Sequence, residues 1–160
     1  MNWHEKNAEF NALIKQLFHD DDWQKRAEAA RQLGLLKEGR ATNLMCRALR
    51  SEKDHMVINK IIEALGRIGD GRATLRIVEK FEEEQEKNEI DKFRIKYIIE
   101  SLTKIKDKRA LSYLGPLLDS SDEDIKNLAL KAFDVIEPNW KEIVKRERKK
   151  SIQESFKSRD

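Results

Sequence analysis

The chain has 160 residues, enough to bury a core as one domain. Charged residues make up 39% of it while Gly and Pro number only 6 and 2, which excludes a turn-rich β-sandwich and favours helices on short connections. The 33 basic and 30 acidic residues describe a mixed surface rather than a polyanion-binding one, and the single cysteine, Cys46, excludes an intrachain disulfide and a cysteine-based zinc site.

The opening residues MNWHEKNAEF contain no apolar signal core, and no apolar run approaches the ~20 residues that span a bilayer. The expectation is a cytoplasmic protein without membrane contact. From here the apolar periodicity predicts helices over residues 3–18, 23–36, 42–50, 55–68, 74–87, 92–105, 111–119 and 123–136. They form pairs, because one phrase recurs at the hinge between pairs. EGRA, DGRA and DKRA end at Ala41, Ala73 and Ala110, spaced 32 and 37 residues apart. A fourth step reaches Lys141 after EPNW.

Counting back from these anchors gives matched columns. Leu36, Ile68, Ile105 and Ile136 stand five before. Leu33, Leu65, Leu102 and Phe133 stand eight before. With Ala29/Ala30, Ile61/Ile62, Ile98/Ile99 and Ala129/Leu130 they form one stripe on a 3.6-residue helix. Seven before stand Gly34, Gly66, Thr103 and Asp134; the first three are small, as a close neighbouring helix requires. Nineteen before stands an aspartate every time: Asp22, Asp54, Asp91 and Asp122. That is the N-cap position, where a carboxylate accepts the free amide protons of the first turn. Met45, Ile77 and Leu114, four after the anchors, point the first helix of each pair into the same core.

The single domain 1–160 thus divides into repeats at about 3–37, 41–69, 73–106 and 110–137. The third is lengthened by FEEEQEKNEID, read as a solvated helix end and loop, with an acidic contact for a basic partner as the alternative. The last segment, 138–157, opens with Pro138, which suits a first helical turn. Lys145 and Lys149 occupy its expected core columns, so it is read as a basic capping helix at the end of the stack.

LGRIGDGRA over Leu65–Ala73, with weaker copies over Leu33–Ala41 and Leu102–Ala110, resembles the hinge of HEAT repeats, more narrowly the HEAT-like repeats of phycobilin (phycocyanobilin) lyases. The resemblance covers about Leu13 to Trp140. It implies an all-α fold, an α-α superhelix: a short right-handed solenoid of four helix pairs. It also implies that the second helix of each pair lines a concave surface where partners bind.

The outward positions of those second helices include Trp23, Arg31, Met56, Asn59, Lys60, Glu63, Arg67, Phe93, Lys96, Tyr97, Glu100 and Lys104. Aromatic residues, Met and Arg are enriched at protein interfaces, so these residues are the expected partner-binding groove. No P-loop, G-x-G-x-x-G, G-x-S-x-G or H-E-x-x-H motif is present, and no catalytic, cofactor-binding or metal-ligating residue is assigned. The di-iron HEAT-like hydroxylases carry paired His-Glu motifs; here only His4-Glu5 has that form. Arg40, Arg72 and Arg109, each two residues after an acid, suggest a ladder of ion pairs along one edge. The expected function is a non-catalytic protein-interaction scaffold with no small-molecule substrate. The alternatives are a lyase-type accessory subunit, or nucleic-acid binding through Lys145, Arg146, Arg148, Lys149 and Lys150.

Overall fold

The structure is a computed structural model that describes residues 1–157. All its regular elements are helical. They are α1 (Trp3–His19), α2 (Trp23–Leu36), α3 (Ala41–Ser51), α4 (His55–Ile68), α5 (Thr74–Gln85), α6 (Lys92–Ile105), α7 (Leu111–Leu114), α8 (Glu123–Ile136) and α9 (Trp140–Lys157). Single 3-10 turns, Gly71–Ala73 and Lys108–Ala110, lead into α5 and α7. Two layers result. The second helices α2, α4, α6 and α8 pack side by side in chain order, whereas the first helices α1, α3, α5 and α7 touch one another sparsely. We call this closer-packed layer of second helices the inner layer.

The columns fold as their period dictates. Leu33, Leu65 and Leu102 are fully buried, as are Ile61, Ile62, Ile98 and Ile99, facing Met45, Ile77 and Leu114 from the outer layer. Burial of each such side chain contributes about 1.5–3 kcal/mol. The aspartate column caps all four inner helices. Asp54 accepts from Met56 N and Val57 N at 2.9 and 3.2 Å, and Asp91 from Phe93 N and Arg94 N at 2.9 and 3.3 Å. Asp22 and Asp122 do the same for α2 and α8. These carboxylates are thereby committed to the backbone.

Inner-layer spacing follows the small-residue column. A Cβ on Gly34 would lie 2.9 Å from the Ala64 Cα, and one on Gly66 would lie 2.7 Å from the Ser101 Oγ and 2.8 Å from its Cα. No side chain fits at either position without moving the neighbouring backbone. At the third junction Thr103 replaces the glycine, and its hydroxyl turns back to donate to the Ile99 carbonyl. There α6 and α8 part over a groove of about 170 Å³ lined by Glu100, Thr103, Lys104, Leu128 and Lys131.

Two expectations are corrected. The helix expected over 111–119 is α-helical only to Leu114 and continues as a 3-10 segment, Gly115–Asp119. Pro116 has no N–H to return to the preceding turn. The C-terminal segment is helical but does not cap the stack. Trp140 packs on the Phe133 ring, 5.2 Å between centroids, and donates from its indole N–H to Asp134 Oδ1 at 2.8 Å. Every residue from 141 to 157 is exposed. With lysines in its core columns, α9 has no apolar stripe that matches α8. Among the described residues no helix is long and apolar enough to cross a membrane.

Candidate functional site

The inner face is built from the caps upward. Trp23, Met56 and Phe93 occupy the first turns of α2, α4 and α6, Trp23 directly after the cap Asp22 and Met56 and Phe93 two residues after the caps Asp54 and Asp91. Because the aspartates fix those turns, Met56 and Phe93 project from equivalent places on adjacent helices, whose axes are about 8–10 Å apart, while Trp23 projects from one position earlier in its helix. They stay in solvent: Trp23 is 40% exposed, Met56 52% and Phe93 68%. In α8 the row ends. Asp124 stands where Met56 and Phe93 stand, and it pairs with Lys92 at 2.9 Å and Lys96 at 3.6 Å. Leu35 and Val135, near the other ends of α2 and α8, are also exposed.

The charges expected on this face are largely occupied by neighbours. Arg31 forms a bidentate pair with Glu28, at 2.8 Å from Nε and 2.5 Å from Nη2. That pair holds the Glu28 carboxyl at about 2, with Gln32 adding a second hydrogen bond. Glu63 lies between Lys60 at 3.8 Å and Arg67 at 3.4 Å. Lys96 answers Asp124. Glu100 and Lys104 make no ion pair among the described residues, and both line the α6/α8 groove.

Asn59 is corrected: it does not face a partner. It is buried and accepts from Arg94 Nε at 2.5 Å. Arg94 is itself only 3% exposed and reaches the His55 carbonyl with Nη2 at 3.4 Å, while burial lowers its pKa. Tyr97, expected outward, is half-buried and packs against the core. Sequence reasoning missed Arg94. The signal, weakened by exposed Lys25 at the same position of the first repeat, was a charge in the column that Val57 and Ile125 hold as buried apolar residues in the second and fourth, where a charge demands a polar partner on the adjacent helix.

Three further sets of contacts, two of them between repeats, hold the stack in shape. Arg26 is bidentate to Glu52 at 3.0 and 3.1 Å and donates to the Asp20 carbonyl at 2.8 Å, joining the first two repeats. Glu84, in the middle of the acidic segment, is buried and accepts from Asp91 N at 2.7 Å and Lys87 Nζ at 2.8 Å. That residue is therefore structural rather than solvated. The edge ladder exists as well. Arg72 pairs with Asp70 at 2.6 Å and reaches back to the Gly39 carbonyl at 3.0 Å; Arg109 pairs with Asp107 at 2.7 Å and reaches Gly71 at 3.1 Å. The arginines hold both aspartates at about 2. The buried hydroxyls of Thr42 and Thr74, without well-formed hydrogen bonds of their own, lie beside these carboxylates and support the ionised form. Arg40 starts the ladder differently, pairing with Glu38 at 2.8 Å and lying over the Phe10 ring at 4.4 Å.

Cys46 is buried in the outer layer, and burial pushes its thiol pKa up. Of the tail cations Lys145, Arg146, Arg148, Lys149 and Lys150, only Lys150 has an ion pair among the described residues, to Glu147 at 3.7 Å.

Residues 10–89, half of the chain, match the family model described as HEAT repeats. No curated protein matches the chain.

Proposed function

The chain belongs to the HEAT-repeat family, and on that premise we propose that it is a non-catalytic scaffold whose inner helical face docks a partner protein. Solenoids of this kind use an extended concave surface for binding. The observation that carries the reading is the row Trp23, Met56 and Phe93, one apolar side chain in the first turn of the second helix of each of the first three repeats, left in water on that face. Because Arg31, Lys60, Arg67 and Lys96 already have acidic neighbours, the row favours an apolar segment of a partner over a highly charged one. The test compares proteins captured by the wild type with those captured by the Trp23→Ser/Met56→Ser/Phe93→Ser variant. A partner retained by the first and lost from the second supports the reading.

A second reading, polyanion binding by α9, rests on its exposed and nearly unpaired cations. It predicts an affinity for DNA or RNA that falls steeply between low and high salt. The narrower lyase-type reading rests on the turn phrase alone, and no residue of the inner face is assigned to handling a cofactor.

A further inference from the structure

The acidic segment that spans the last turn of α5 and the loop after it, and the basic helix α9, are the two features that the scaffold reading leaves unused. Beside the acidic segment lies an apolar cleft of about 270 Å³, at the junction of α5, α6, the 3-10 segment after α7, and α8. Phe81, Ile95, Leu117 and Ile125 line it, and Ile90 stands at its lip, 53% exposed. Residues 82–91 carry six carboxylates and one lysine. Three of those carboxylates are engaged: Glu83 with Lys80, Glu84 with Lys87, and Asp91 as a cap. Glu82, Glu86 and Glu89 are exposed and make no ion pair among the described residues.

Helix α9 has the opposite character. Residues 141–157 carry seven cations and three carboxylates. The same helix exposes Ile143, Val144, Ile152 and Phe156, at 41%, 50%, 55% and 67%. Most helices in proteins draw their stability from packing an apolar face, and α9 packs none in its own chain beyond Trp140. Phosphate contacts would occupy its cations and still leave these four side chains in water. The cleft offers an apolar floor, and its own charges, Lys92 and Asp122, pair with each other at 2.9 Å; the segment that supplies Gln85 and Ile90 to its lining also carries Glu82, Glu86 and Glu89, unpaired among the described residues. It opens near Asp122 and Ile125 at the start of α8, whereas α9 departs from the far end of that helix, about 20 Å away.

We propose that α9 of one copy docks over this cleft on a second copy, with Ile152 and Phe156 at the apolar floor and the lysines and arginines against Glu82, Glu86 and Glu89. Reciprocal exchange of the two helices closes a dimer. This does not depend on what the inner face binds.

The test is light scattering and sedimentation equilibrium of the full chain, over a range of concentration and salt, with circular dichroism as the check on folding. The wild type is expected to dimerise at low salt, and high salt is expected to weaken the dimer by about tenfold or more. Ile152→Asp/Phe156→Asp should give a monomer with an unchanged helical spectrum, since both positions are exposed. Glu82→Lys/Glu86→Lys/Glu89→Lys should also give a monomer, and adding Lys145→Glu/Lys149→Glu/Lys150→Glu to it should restore the dimer. A wild type that is monomeric at every concentration overturns the proposal, as does a dimer that survives Ile152→Asp/Phe156→Asp. Loss of the dimer in the α9 variant but not in the acidic-segment variant rules out the cleft as the dock. Self-association seen only after DNA is added assigns α9 to polyanions instead.

Discussion

The inner face and α9 carry similar ingredients, cations interleaved with exposed apolar side chains, and use them in opposite ways. On α2, α4 and α6 the cations Arg31, Lys60, Arg67 and Lys96 are matched by Glu28, Glu63 and Asp124, so that apart from Glu100 and Lys104 at the α6/α8 groove what stands out as unmatched is the apolar row Trp23, Met56 and Phe93. On α9, beyond Trp140 and the Lys150–Glu147 pair, neither charge nor apolar surface is matched among the described residues. The same contrast runs through the packing. Gly34 and Gly66 lock the first three inner helices together, Thr103 lets α6 and α8 part, and α9 leaves the body altogether. A HEAT-type stack thus grades from a rigid N-terminal body, suited to presenting a fixed surface, to an open C-terminal end.

The largest effect should come from the tight junction. Gly66→Ala should lower unfolding stability by about 1–3 kcal/mol in urea denaturation, because its Cβ must displace Ser101. Thr103→Ala in the same column should cost less than about 1 kcal/mol. Equal losses at the two positions would break the contrast between junctions.

Acid titration probes the edge that ties the repeats together. Asp70 and Asp107 titrate at about 2 in the folded chain, chiefly through Arg72 and Arg109, against an ordinary value near 4. Their contribution is therefore fully present above pH 4 and disappears as pH falls toward 2. The Asp70→Asn/Asp107→Asn variant should start less stable at pH 7 and lose less than the wild type between pH 4 and 2, in denaturant midpoints measured across that range.

Smaller still is the turn effect. Gly69 ends α4 with φ 76°, a left-handed conformation free of cost for glycine, while Lys37 and Lys106 adopt it at the ends of α2 and α6. Lys106→Gly should raise stability by up to about 1 kcal/mol, seen as a shift of the melting midpoint. Least of all, Phe93→Ser should leave stability within about 0.5 kcal/mol, because the ring packs on little.

The architecture was legible because each repeat writes the same physics in the same columns. Leucine and isoleucine at helical period gave the core, aspartate gave the four caps, and glycine gave the close approach of the inner helices. What stayed hidden depends on contacts between repeats, which a single column cannot display. Asn59 looks solvent-facing within α4 until Arg94 arrives from α6. Glu84 reads as one more charge in an acidic run until the loop folds Asp91 N onto it. Tyr97 lies on the flank of the apolar stripe, where a half-turn decides between packing and presentation. The reach of α9 was misjudged for the same reason: polar core columns exclude an inner place in the stack, but do not by themselves make a cap.

The central claim, that the apolar row on the inner face is the docking surface, is tested most directly by quantitative capture with three proteins in parallel: the wild type, Trp23→Ser/Met56→Ser/Phe93→Ser, and Ile152→Asp/Phe156→Asp. The account predicts a partner that the wild type and the α9 variant retain and the inner-face variant loses, with all three equally helical by circular dichroism. A partner retained in full by the inner-face variant contradicts it.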